Sequence, residues 1–438
     1  MDIEGFARKH IHDKDLEKKL AERILEFKDV DEDTALKIAR AVVTEVRNAY
    51  SKGNWLLEYH KSGVTMGRFG VGSRGTGDFY VHSKISEMCG NAVVSSKDLD
   101  DAGVIKAGDL YISIAIDGIH SRLSEFPFIA GFHVARASMR DVLVMGSKPA
   151  ALFSDIHIAD DGDVSKIFDH IAGITAVSEL TDVPLIAGST LRIGGDMVIG
   201  ERMTGAVGCV GVSDFITPRR NAKPRDVIIL TEGSGGGTVA TTAIYYGMHE
   251  VVEETINLDF IFSALTLIDS GIVRKVHAMS DVTNGGIRGD AQEISKTSGC
   301  ALYFEIEKIR NLVNKKVLEM LESLEIDFMG VSIDSLMVIC PEHVAEEILR
   351  ATGKCGVKAD IVGWVEKGRG AFSVENGKVK DLKPMFRESA YTPIKKLVGE
   401  EKPEDFEEMM ESIDRAFNAA LEKKKRVVEM LRRKIPPG

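Results

Sequence analysis

The chain has no run of about 18 apolar residues, the length that a membrane-crossing helix requires. Its first residues are charged from Asp2 onward, where a secretory leader would place an apolar core. A cytoplasmic protein without a membrane partner is expected. Cysteine is scarce as well: Cys89, Cys209, Cys300, Cys340 and Cys355 are scattered and form no Cys-x-x-Cys pair. That spacing offers neither a disulfide framework nor a zinc site, and buried thiols are expected. Basic charge is in deficit, with 56 Lys and Arg against 67 Asp and Glu and a formal net charge of −11. No nucleic-acid partner is expected, because such a surface needs a basic stripe. Phosphate ligands would have to be met by local groups. What is present is a chain of 438 residues, 44% hydrophobic and 28% charged, with room for two or three domains with cores of their own.

Apolar residues at helical spacing predict two helices in the first 55 residues, one through Leu16, Leu20, Ile24 and Phe27, the other through Leu36, Ala39, Val43, Val46 and Tyr50. Residues 1–62 are read as an N-terminal helical segment. From Gly63 to Gly77 the sequence is glycine-rich and aperiodic, which predicts a mobile loop. Strands at 110–116, 151–158 and 203–212 then alternate with helices at 128–145 and 164–180. Pro218, Pro224 and the pair Arg219-Arg220 mark a boundary. A second α/β unit opens with a strand at 227–230 and carries helices at 238–246, 287–298, 311–324 and 341–351. The domains expected are 63–217 and 218–383, followed by a helical extension over 384–438. In that extension Phe406, Met410, Ile413, Phe417, Ala420, Val427 and Leu431 make one apolar stripe, interrupted by Lys424. The stripe fits packing along its own domain or a dimer partner, and it also fits a docking element for a protein partner through residues 403–431.

Three aspartates stand where chemistry is usually done. Asp117 ends the apolar strand Tyr111-Ile-Ser-Ile-Ala-Ile116, with Gly118 letting the chain turn; strand ends commonly present ligands to a cleft. Asp141 lies in an amphipathic helix among Met139, Val142, Leu143 and Met145, where an unpaired carboxylate bears a large desolvation penalty that a metal ion or Arg140 would offset. Asp281 precedes the glycine turn Val-Thr-Asn-Gly285-Gly286 that opens a helix. Carboxylates so placed suit Mg²⁺ held against nucleotide phosphates. Gly233-Ser-Gly-Gly-Gly237, between a strand and a helix, has the order of an anion-binding turn without the Lys-Ser/Thr ending of a P-loop, and a tight turn is the other reading. His120 and His157 are possible proton handlers or ordinary structural histidines.

The runs Leu99-Asp100-Asp101-Ala-Gly-Val-Ile105, Ala-Ile-Asp117-Gly-Ile-His-Ser-Arg-Leu123, Met-Arg-Asp141-Val-Leu-Val-Met-Gly146-Ser-Lys-Pro149 and Ser-Asp281-Val-Thr-Asn-Gly-Gly286 occur in this order. Over residues 65 to 375 they resemble the aminoimidazole ribonucleotide synthetase superfamily, which includes selenophosphate synthetase, thiamine monophosphate kinase and the hydrogenase-maturation carbamoyl dehydratase. The resemblance implies a two-domain PurM-like α/β (α+β) fold, here with N- and C-terminal helical extensions, whose first domain forms a barrel shared in a homodimer. It implies ATP and Mg²⁺ as cofactors and phosphorylation of a small carbonyl, amide or phosphate substrate. Asp101, Asp117, Asp141 and Asp281 would hold the metal, and Asp117, Asp281 and His120 would be catalytic. Arg68, Gly72, Arg74, Gly75, Thr190, Gly235, Gly285 and Gly286 would contact the nucleotide or substrate, with the Gly63 to Gly77 segment closing over ATP. Leu99 stands where the Gly-Asp-Asp element of relatives has glycine. Ser189 stands where they carry an acid or histidine, so that Thr190 with Arg192 reads a different substrate or Asp196 supplies the carboxylate. No cysteine lies between Gly63 and Asp78, and the chain ends Pro-Pro-Gly438; neither selenophosphate formation nor carbamoyl transfer is expected. A thiamine monophosphate kinase-like activity and a non-catalytic ATP-binding regulatory or assembly role remain alternatives.

Overall fold

The computed structural model describes residues 1–51, 53–72, 75–283, 285–387, 390–399 and 401–433. Three helices open the chain: α1 (Ile3–Lys9), α2 (Leu16–Leu25) and α3 (Glu32–Ala49). The first escapes the helical pattern of the sequence because only Ile3 and Ala7 are buried. Asp2 caps it by accepting from the Gly5 amide at 2.8 Å, and Met1 and Ile3 bond the backbone at Ile199 and Met197. The segment expected as a loop contains helix α4 (Met66–Phe69) and the start of α5 (Thr76–Met88). Its packing explains the difference: Phe69 is 1% exposed and joins Phe386, Phe406 and Met409, which lie far along the chain, in a small separate core.

The first sheet contains β1 (Gly103–Ala107), β2 (Leu110–Gly118), β3 (Lys148–Ile158), β4 (Leu185–Arg192) and β5 (Met203–Ser213) in the order β1-β2-β5-β3-β4, antiparallel except for the parallel β3–β4 pair. Helices α6 (Pro127–Val144) and α7 (Ser165–Thr181) cover one face. The opposite face leaves Ile114 and Ile116 43% and 64% exposed. Where α6 crosses α7 there is no room for side chains. A Cβ on Gly131 would lie 2.1 Å from the His170 carbonyl oxygen, and one on Gly173 2.1 Å from that of Phe128.

The second sheet runs β12-β11-β8-β10-β6-β9-β7, built from β6 (Asp226–Thr231), β7 (Ala278–Asp281), β8 (Cys300–Glu305), β9 (Leu336–Pro341), β10 (Ala359–Lys367), β11 (Gly370–Glu375) and β12 (Lys378–Asp381). Alternate residues of its central strands face two cores, as a period of two requires. Ile229 and Val338 join α6, α9 (Asp259–Asp269) and α13 (Glu342–Lys354), whereas Ile228 and Ile339 join α8 (Gly237–Tyr245), α10 (Gly286–Ser298) and α12 (Lys315–Ser323). The helix expected over 311–324 is α12, which starts later because the Asn314 side chain caps it, and a separate short helix α11 (Ile306–Arg310) precedes it. The core containing α6 therefore spans both sheets. After α14 (Pro393–Val398), the terminal helix α15 (Phe406–Arg432) lies against α5. Asp414 accepts from the Tyr80 hydroxyl at 2.6 Å and pairs with Lys84 at 2.9 Å. Among the described residues no helix is long and apolar enough to cross a membrane.

Candidate functional site

Asp101, Asp117, Asp141 and Asp281 come from four separate segments and line one cavity of about 400 Å³ at the junction of the two sheets. The antiparallel register sets Asp117 of β2 opposite Val207 of β5, and Asp281 ends β7 opposite Leu336. Asp141 projects from the last turn and a half of α6, the helix shared by both layers. Asp100 and Asp101 follow Leu99, whose φ of 52° is left-handed. Leucine adopts this conformation against its steric preference.

The carboxylates are not independent. Burial, and then the neighbouring Asp117, Asp281 and Asp101, push the Asp141 carboxyl well above its ordinary range. Burial does the same to Asp101, opposed by Arg219 and reinforced by Asp281 and Asp100. Asp100 is raised to about 6 by burial, with Arg219 opposing. Asp281 is 1% exposed, and its Oδ2 makes no hydrogen bond. The nearest cation is Arg140, whose Nε stands 3.5 Å away. Crowded, desolvated carboxylates with an unsatisfied oxygen favour a cation. Among the described residues no three His, Cys, Asp or Glu side chains are grouped closely enough to hold a metal ion alone. Mg²⁺ seldom needs such a cage, because it keeps waters and takes phosphate oxygens.

Three arginines that stitch the site together were read from sequence as something else or not at all. Arg219, read as part of a domain boundary, is 2% exposed; its Nη2 donates to Asp101 at 2.7 Å and Asp290 at 3.0 Å, and its Nη1 bonds Glu293. Arg140 does not hydrogen-bond its neighbour Asp141 but pairs with Asp334, as does Arg136. Arg136 also donates to the carbonyls of Thr255, Asn257 and Gly235. The available signal was two arginines one turn apart on an otherwise apolar helix, which demands buried acceptors.

His120 lines the cavity, and both its ring nitrogens are engaged, Nδ1 with the Thr241 hydroxyl at 3.0 Å and Nε2 with that of Tyr391 at 2.9 Å. Burial, then Lys395 and Arg122, lowers its pKa to about 4, so the ring is neutral at pH 7. Gly236 and Gly237 face the cavity. Gly235 turns away with φ 78°, bonding Ile333. Gly285 and Gly286 shape the turn before α10, both with positive φ, while Thr283 on that turn reaches the cavity. Gly235, Gly285 and Gly286 do not line the cavity, and four further residues expected at the ligand also lie outside it. Thr190 stands on the exposed strand β4 opposite Ile156. Arg68 pairs with Asp405 at 2.5 Å. Gly72 donates to Asp78 at 3.0 Å. Gly75 caps α5, tight against the Phe386 carbonyl. Arg74 falls outside the described residues. His157 pairs with Asp155 at 2.9 Å on β3, and Asp196 is 77% exposed and paired with Arg192. From the N-terminal region it is α5 that reaches the cavity, through Asp78, Phe79, His82 and Ile85.

Two α/β layers sharing one long helix, with aspartates of both converging on the junction, define a two-domain PurM-like protein. The chain belongs to the AIR synthase related family, matching its N-terminal domain over residues 99–213 and its C-terminal domain over 223–375. It is 55% identical to an uncharacterized protein of Methanocaldococcus jannaschii over 99% of this chain and 98% of that one. A selenide, water dikinase of Myxococcus xanthus is 24% identical, over 65% of this chain and 87% of its own. A thiamine-monophosphate kinase of Pyrococcus abyssi is 25% identical over the same shares. Among solved structures, the hydrogenase maturation protein HypE in complex with ATP superposes with a TM-score of 0.53 at 17% identity, over 72% of this chain and 97% of that one. AaThiL complexed with AMPPCP and TMP gives 0.51 at 18%, over 71% and 96%.

Proposed function

We propose that the chain is a Mg-ATP-dependent phosphoryl-transfer enzyme that activates a small carbonyl, amide or phosphate substrate. The observation that carries this reading is the convergence of Asp101, Asp117, Asp141 and Asp281 on one cavity, two of them with raised pKa and one with an orphaned buried oxygen. Those groups fit a divalent cation, which would neutralise charge developing on the transferred phosphoryl group. The chain's own residues do the positioning. Asp117, Asp141 and Asp281 would hold the metal, with Asp101 fixed by Arg219 beside them. The α8 N-terminus at Gly236 and Gly237 offers backbone N–H groups to a phosphate. Phe79 and Ile85 of α5 give the cavity an apolar side. His120, neutral and held at both nitrogens, serves better as an orienting group than as a base. The relatives named as a dikinase and a kinase, and the neighbours solved with ATP and AMPPCP, support this reading.

A homodimer belongs to the same proposal: the apolar face of the first sheet around Ile114 and Ile116 suits pairing with its copy in a closed barrel. Calorimetric titration of the full chain with a non-hydrolysable Mg-ATP analogue tests the nucleotide, together with phosphate release from Mg-ATP in a metabolite pool. Asp141→Asn should abolish turnover while the fold stays intact, since the amide keeps the volume and loses the charge. Equal turnover in the variant removes the metal assignment, and an analogue that does not bind removes the reading.

A further inference from the structure

We propose that Arg140 is the anion-binding group of a phosphoryl-acceptor subsite between α6 and the N-terminus of α8, and that the acceptor seated there carries a phosphate or carboxylate. The inference rests on the function proposed above and adds to it the chemical class of the substrate.

Arg136 and Arg140 are one turn apart on α6, with side chains 1% and 7% exposed, and share Asp334. Their situations differ. Arg136 is committed to three backbone carbonyls of the second domain, at 3.0, 2.6 and 2.9 Å, and does not line the cavity. Both Nε atoms are buried without a hydrogen bond, but only Arg140 lines the cavity. Opposite stands the unpartnered Oδ2 of Asp281, at 3.5 Å without hydrogen-bonding geometry. A buried charged donor and a buried charged acceptor left without hydrogen bonds are each costly. One occupant arrangement satisfies both: a cation on the Asp281 side and an anion on the Arg140 side. Arg136 and Arg140 share the single carboxylate of Asp334, so a cation on Asp281 would leave one positive charge of the pair without a counterion.

The second domain supplies the other half of the subsite. Helix α8 begins at Gly237 with Gly236 as its N-cap and no side-chain cap, and both glycines line the same cavity. The turn lies directly on the arginine pair: a Cβ on Gly236 would fall 3.2 Å from Arg136 Nη2 and 3.8 Å from Arg140 Nη1. Helix N-terminal amides and a guanidinium thus converge from two domains, a combination that suits the oxygens of a phosphate or carboxylate. Asp141 follows Arg140 in the chain, so the subsite adjoins the carboxylates assigned to metal and nucleotide, as transfer between two bound ligands requires.

Inorganic phosphate is the probe, titrated into the full chain by calorimetry and by phosphorus NMR line width, with and without a saturating non-hydrolysable Mg-ATP analogue. Wild type should bind phosphate while the analogue is bound. Arg140→Gln should weaken phosphate by about tenfold or more, Arg140→Lys by less, and neither should weaken the analogue; Arg136 still balances Asp334 in both. Phosphate that competes with the analogue, or fails to bind, overturns the subsite without recourse to any variant. Undiminished phosphate affinity in Arg140→Gln, or an equal loss of analogue affinity, overturns the role of Arg140. An analogue that does not bind at all overturns the nucleotide reading instead, and the phosphate titration of Arg140→Gln then still decides the subsite.

Discussion

Replacing Phe406 by alanine removes the ring through which α15 packs on α4 and on Phe386. Its centroid lies 4.8 Å from that of Phe69 with the planes at 11°, and 5.3 Å from that of Phe386 at 87°. Loss of a buried phenylalanine costs about 3–5 kcal/mol where the surroundings cannot collapse, and each ring pair contributes roughly 0.5–1.5 kcal/mol of that. The cluster is separate from the cores under the two sheets, so the loss should fall on the docking of α15 rather than on the whole fold. The polar contacts that remain, such as Lys84 with Asp414, are partly exposed and worth below about 1 kcal/mol each. At 1.4 kcal/mol per tenfold change, a loss of 3 kcal/mol multiplies the undocked population by about 100. Hydrogen exchange resolved by peptide reads this directly: protection should fall over α4, α5 and α15 and persist in β2, β5 and β6. Unchanged protection in α5, or a uniform loss across both sheets in one transition, would refute the reasoning.

Arg219→Met leaves the carboxylates of Asp101, Asp290 and Glu293 buried without their cation and should cost about 3–5 kcal/mol in thermal or urea unfolding; a near-neutral change would mean that the acids simply take up protons. His120 has its folded pKa near 4 against 6.5, so the unfolded chain binds the extra proton between those values and stability is lost as pH falls through that window. His120→Asn should remove at most roughly 3 kcal/mol of that dependence, and identical stability-pH curves would show that the ring titrates normally. Gly131→Ala forces a methyl onto the His170 carbonyl and should destabilise by about 1–3 kcal/mol. Gly67→Ala, with open space around it, should melt like wild type.

The elements legible in the sequence were those whose period matched their burial. β2, β3, β5 and α7 show their period because each has one face on a core, and α6 reads as a long apolar helix because it is buried almost throughout. β4 was not predicted as a strand: Ser189, Thr190 and Arg192 were read by resemblance as substrate contacts, whereas parallel pairing with β3 holds the segment extended. α5 went unseen because its buried positions are Gly77, Asp78 and Ser86, which carry no apolar stripe. The aspartates of the site were visible because acids at strand ends and inside apolar helices have few other uses. Their counterions were not: Arg219 meets Asp290 and Glu293 only through folding, and Asp334 reads as an ordinary turn residue until α6 brings two arginines to it.

The contact between Phe69 and Phe406 has a consequence for how the molecule is made. Arg68 and Asp405, the ion pair beside it, are 337 positions apart, and at ~5–20 residues per second that separation corresponds to roughly 20–70 s of translation. Both sheets can be complete while α5, one wall of the cavity, still waits for its partner. A ribosome-bound chain halted before residue 406 would therefore present a finished β framework with an unclosed pocket, and the emergence of α15 would set the moment at which the cavity gains that wall.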